Sequence, residues 1–230
     1  MNMVRLVGVL ALLVVVVALL LVIVSRQFEP LPSGQKLPGG FSKRGAAMQF
    51  VQTTADVDAV LGTDKSLNSA IMHRVLGIDF WFIGLYALLY ASISRLLMKR
   101  NCPWARYLGF IALVAGLGAA VADVRENMSI LQLLGETPYQ QTTVNMINDA
   151  ALLKWTLTFV AIALLAIAFQ DLESRLAHWI SISFIVAAAV GFVGLWSHPL
   201  LALAFIPLAI GNLLLAFTAF TRPHELIPNT

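Results

Sequence analysis

Asp123, Arg125, Glu126 and Asn127 fall inside one apolar stretch, ALVAGLGAAVADVRENMSILQLL, and Lys154 falls near the start of another, ALLKWTLTFVAIALLAIAF. A charge in the hydrocarbon of a bilayer costs about 2.5–3.5 kcal/mol on insertion scales, so it is rare and usually partnered. With Asp79, these residues supply three carboxyls, one ammonium, one guanidinium and one amide. Carboxyls held in unlike surroundings beside a lysine suit an acid–base site or a proton relay. On that chemistry Glu126 or Asp123 is the candidate general acid–base, and Lys154 the group that stabilises negative charge. The same residues could equally form a buried ion pair that fixes helix register. Three acids could also hold a divalent cation, but Lys154 would compete for the place, so no metal is expected.

Spacing gives these groups a direction. Asp123, Glu126 and Asn127 are i, i+3 and i+4, and share one helix face. That face continues through Gly116, Ala119 and Ala120, small residues that let helices approach closely. The carboxylates should therefore point into a bundle, with Arg125 off the face and near the headgroups. Asp79, Tyr86 and Tyr90 share a stripe on the preceding span, where the tyrosines could line a groove or simply pack. The expected ligand-binding set is Asp79, Tyr86, Asp123, Glu126, Asn127 and Lys154.

The elements that must position this set are membrane helices. The chain has 230 residues, 59% hydrophobic and only 12% charged, with a mean hydropathy of +0.83. Soluble domains carry about 25% charged residues. Six segments reach the ~20 apolar residues that cross a bilayer: roughly 4–24, 75–98, 104–131, 150–170, 177–197 and 199–220. The expected fold is all-α, a polytopic integral membrane helical bundle of about six transmembrane helices. The first segment is uninterrupted and lacks a following A-x-A site, so it reads as an uncleaved anchor over 1–24, with a cleaved signal peptide as the alternative.

Residues 25–74 are the polar remainder. EPLPSGQKLPGGFSKRG holds three prolines and four glycines and reads as a linker. In TTADVDAVLG, Thr53 can cap a short helix with Asp56 three positions on, and Gly62 can stop it. Fifty residues with this little apolar content should lie on the membrane domain as a cap. A five-helix bundle over 75–222 and a tail over 223–230 complete the expected organisation.

Orientation follows from lysine and arginine near span ends. SRLLMKRNCPWAR carries Arg95, Lys99, Arg100 and Arg106 without an acid, whereas LGETPYQQTTVNMINDA has no basic residue. The first should be cytoplasmic and the second outside, which puts both termini in the cytoplasm and 25–74 outside. Six basic residues within 25–74 run against this, diluted by four acids. The threading brings Asp79, Asp123, Glu126, Asn127, Lys154 and His198 to one depth in the outer leaflet.

Several classes are excluded. The single cysteine, Cys102, permits no internal disulfide. The formal charge of +3 sits at helix ends, where it orients spans and does not call for nucleic acid. No G-x-S-x-G, H-E-x-x-H, P-loop or desaturase-type histidine motif occurs, and nothing calls for a cofactor. Membrane lipids and other membrane proteins are the expected partners, and the cell membrane the expected place.

At D-V-R-E-N (Asp123 to Asn127), followed by L-K-W (Leu153 to Trp155), the chain resembles a group of uncharacterised bacterial multi-pass membrane proteins. FVQTTADVDAVLG is similar to their segment before the second span, and the likeness covers about residues 48–160. It implies a bacterial membrane and a shared polar cluster, without an activity. Three functions fit this reading. They are a structural or binding membrane component with an outer-leaflet pocket, an intramembrane enzyme acting on a lipid or isoprenoid-type substrate, and a proton-coupled transporter. The transporter lacks the inverted repeat and midplane acid that such architectures favour.

Overall fold

The computed structural model describes residues 2–31, 37–100, 102–170, 172 and 174–226. Part of the linker, 32–36, and the end of the tail, 227–230, lie outside them. The described residues form eight α-helices and no strand: α1 (Met3–Ser25), α2 (Arg44–Met48), α3 (Thr54–Leu61), α4 (Lys65–Met98), α5 (Pro103–Gly135), α6 (Gln141–Gln170), α7 (Arg175–Trp196) and α8 (His198–Thr221). Six of them, all but α2 and α3, are long and apolar enough to cross a membrane. The protein is an all-α bundle of the polytopic membrane type.

Local chemistry sets the short elements. Thr53 accepts a hydrogen bond from Asp56 N while the Asp56 carboxylate accepts from Thr53 N, a reciprocal capping box that starts α3. Gly62 ends it at φ 67, a conformation that costs a residue with a Cβ. A Cβ at Gly62 would also sit 2.6 Å from the Arg44 guanidinium, so glycine is required twice over.

α6 begins at Gln141, nine residues before the apolar span expected at 150. Val144, Ile147, Ala150 and Ala151 are buried at helical spacing, and this stripe carries the helix back through polar sequence. Gln141 and Asn148 on the same stretch donate to the carbonyls of Gln52 and Val51.

Contacts divide the chain into two compact units. One, here the ionic unit, comprises Val17–Ile83 and Val121–Lys154; the other, here the apolar unit, comprises Met1–Val16, Gly84–Ala120 and Trp155–Thr230. Four helices, α1, α4, α5 and α6, contribute residues to both.

In the apolar unit, α7 and α8 form a helical hairpin turned at Ser197. The Phe159 ring stacks on Trp155 at 5.8 Å and meets Phe192 at 5.7 Å. Gly191 is pressed onto Phe159, and a Cβ there would overlap the ring. A small cavity of about 10 Å³, room for one water molecule at most, lies among Val7, Ile93, Leu97, Phe169 and Leu215.

The ionic unit has an apolar core of its own, including Phe41, Met48, Val57, Leu61, Met72, Ile130, Leu133 and Ile147. The segment after α1 is tied in by polar contacts. Buried Arg44 donates from Nε to the Glu29 carbonyl at 3.1 Å and from Nη1 to the Val60 carbonyl at 2.5 Å. Its Nη2 lies 3.5 Å from the Glu29 carboxylate. Asn68, also buried, donates to the Leu61 carbonyl at 2.7 Å and to Glu29 Oε2 at 3.2 Å.

Candidate functional site

The i, i+3, i+4 pattern of α5 becomes a buried face. Asp123, Glu126, Asn127 and Ile130 are buried, while Val121, Val124, Arg125 and Met128 are exposed. Earlier on the same helix Ala119 and Ala120 are buried as well. A helix of 3.6 residues per turn sorts side chains in this way only when one stripe meets protein.

Lys154 reaches that face from α6. Its Nζ lies 2.5 Å from Glu126 Oε2 and 3.1 Å from Asp123 Oδ1. The three residues are 3%, 0% and 5% exposed, so the ion pairs are closed to solvent. A buried pair of this kind offsets a large desolvation cost by short-range attraction, and removal of one partner leaves the other charge stranded. Asp79 joins from α4 through Oδ2, which accepts from Asn127 Nδ2 at 2.8 Å. Asp79 is half-buried, the least enclosed member of the set.

Five sequence-derived residues, Asp79, Asp123, Glu126, Asn127 and Lys154, thus come together within the ionic unit. Arg125 is exposed, as its place off the face required. Tyr86 and Tyr90 belong to the apolar unit, both buried, with ring centroids 5.7 Å apart. Tyr90 also packs on Gly116, where a Cβ would come within 2.6 Å of its ring. His198, in the apolar unit, is the first residue of α8 and half-buried.

One atom of the cluster is not accounted for among the described residues. Glu126 Oε2 is engaged by the Lys154 ammonium, whereas Oε1 has no hydrogen-bond partner among the described residues. A buried acceptor without a donor costs about 1–3 kcal/mol. Among the described residues no group of three or more His, Cys, Asp and Glu side chains is arranged to hold a metal ion.

Three carboxylates outside the spans are hubs that sequence reasoning missed. Glu29 accepts from the Thr63 hydroxyl at 2.5 Å, from Asp64 N and from Asn68, with the Arg44 charge nearby; the Thr63 bond leads in holding its pKa below the usual carboxylate range. Glu136 is lowered first by the Thr143 hydroxyl, and also by Gln140 N and Gln132, which together clamp the α5–α6 connection. Glu225 is lowered first by the hydroxyl of Ser174, the α7 N-cap, and also by Arg222. Glu29 and Arg44 stand in a proline- and glycine-rich stretch with no periodicity, so no sequence signal marks them.

Comparison with known proteins gives no match, whether against protein-family models, curated proteins or solved structures.

Proposed function

We propose that the chain is a non-enzymatic membrane component, structural or ligand-binding, in which the ionic cluster staples α4, α5 and α6 together. The observation that carries this reading is Lys154 Nζ at 2.5 and 3.1 Å from two carboxylates, all three closed to solvent. An acid–base catalyst must reach the proton it moves, whereas these groups are turned on one another. The test is a charge-neutral triple variant, Lys154→Met with Asp123→Asn and Glu126→Gln. A staple predicts that it folds, resists unfolding far better than Lys154→Met alone, and rescues whatever phenotype deletion of the gene produces. A triple variant that folds like the wild type and fails to rescue overturns the reading.

That failure would favour the second reading, an intramembrane enzyme acting on a lipid or isoprenoid-type substrate. Its support is the Glu126 Oε1 atom, which no donor among the described residues engages.

We assign both termini to the cytoplasm and residues 25–74 and the connection between α5 and α6 to the outside of a bacterial inner membrane. Arg95, Lys99, Arg100 and Arg106 lie in or beside the connection before α5, while residues 136–140 contain no lysine or arginine. The bacterial assignment rests on the D-V-R-E-N and L-K-W resemblance. A membrane-impermeant maleimide applied to intact cells should spare Cys102 and modify Thr137→Cys in a Cys102→Ser background. The reverse pattern inverts the topology.

A further inference from the structure

Exposed side chains on the three longest helices shift from mostly polar to mostly apolar near the end of each that lies in the ionic unit. On α4, exposed Lys65, His73 and Arg74 give way to exposed Trp81 and Leu88. On α5, exposed Val121, Val124 and Met128 are followed by exposed Gln132. On α6, exposed Asn145 and Asp149 give way to Leu152 and Leu153. Apolar side chains gain nothing from facing water, and polar ones lose hydrogen bonds in hydrocarbon.

We infer that one edge of the bilayer hydrocarbon crosses α4 between Arg74 and Trp81, α5 between Met128 and Gln132, and α6 between Asp149 and Leu152. The apolar band on the inner side of that edge is the surface that contacts phospholipid, and Arg125 is its phosphate contact. Thickness supports the placement independently. At about 1.5 Å per residue, Trp81 to Met98 at the end of α4 spans ~26 Å and Leu152 to Gln170 at the end of α6 spans ~27 Å. On α7 the exposed Trp179 and Trp196 stand ~26 Å apart by the same rise. Each value is close to the ~30 Å of a hydrocarbon core, and tryptophan favours its two borders. Helices of 34, 33 and 30 residues exceed the ~20 that this thickness needs. The surplus is the polar end of each.

Two consequences follow for the cluster. Glu126 and Lys154 lie two residues from Met128 and Leu152, and Asp79 lies within the Arg74–Trp81 interval. The ion pairs therefore sit within about a turn of the headgroups, where a buried charge costs less than at the midplane. Arg125, exposed between apolar Val124 and Met128, is one turn below the edge and long enough to raise its guanidinium to a phosphate.

This placement rests on the membrane reading, but neither on its sidedness nor on the staple role. The full chain with Cys102→Ser is reconstituted in phosphatidylcholine–phosphatidylglycerol vesicles, carrying one spin label at a time at Met128→Cys, Gln132→Cys, Asp149→Cys or Leu152→Cys. Collision with oxygen, relative to a water-soluble nickel chelate, should be severalfold higher at 128 and 152 than at 132 and 149. Equal ratios across the edge, or a preference for the nickel chelate at 128 and 152, overturn it. Arg125→Gln should raise the oxygen preference of the label at 128, because the phosphate anchor is gone. An unchanged ratio removes Arg125 from the contact.

Discussion

The ionic unit and the apolar unit hold their helices by different physics. The first uses few contacts of high individual stake: Lys154 between two carboxylates, Asp79 with Asn127, and Arg44 with Glu29. The second leans more on close approach, with Gly191 on Phe159 and a chain of rings from Phe205 through Trp155 and Phe159 to Phe192, and its buried polar ties run to backbone carbonyls, as from Ser181 to Ala166 and from Arg100 to Ala168. Lipid is as apolar as leucine, so segments inside a bilayer gain little from hydrophobic burial and must rely on fit. Polar contacts concentrate where the helices carry their polar ends.

The comparison predicts a hierarchy of damage. The largest effect belongs to Lys154→Met, which strands Asp123 and Glu126 and should cost about 3–5 kcal/mol, read as a fall in the unfolding midpoint in detergent. A loss under about 1 kcal/mol would mean the carboxylates find other compensation, and the units would differ less than the contacts suggest. Gly191→Val tests the other side by forcing a side chain onto Phe159, and overpacking of this kind costs about 1–3 kcal/mol. If Gly191→Val proves the more harmful of the two, fit outranks charge in this fold.

Thr53→Ala removes the α3 cap from the ionic unit and should cost about 1 kcal/mol. Hydrogen exchange should show the loss confined to residues near α3 and leave the spans unchanged. The smallest effect is pH-dependent. Glu29, lowered from an ordinary value near 4.5, stabilises its contacts in full above that pH and loses the contribution as pH falls through its folded value. Protease sensitivity of residues 26–64 should therefore rise below about pH 4.5, and Glu29→Gln should remove that pH dependence. A variant that keeps the wild-type acid response assigns it to another group.

Much of the architecture was readable because its determinants are local. A run such as VRLVGVLALLVVVVALLLVIV specifies a span whatever surrounds it, since each residue adds its own transfer free energy. Thr53, Asp56 and Gly62 bound α3 because capping involves only neighbours in sequence. The inward face of α5 followed from spacing alone, because small residues and acids lie on one stripe. The early start of α6 was less legible, since Val144 and Ile147 are isolated among polar residues and read as a connection until a core receives them.

Sequence by itself thus determined the number and rough extent of the spans, the α3 boundaries, and which side of α5 would be enclosed. Tertiary structure decided which of the possible partnerships formed. It set Lys154 between Asp123 and Glu126, gave Arg44 the Glu29 and Val60 carbonyls, and chose which stripe of α1 is buried, Val4, Val7, Ala11 and Val14. The reason is physical. A uniformly apolar helix has no polar side to mark the opposite one, and an ion pair is selected by how helices approach, a distance that no local pattern encodes.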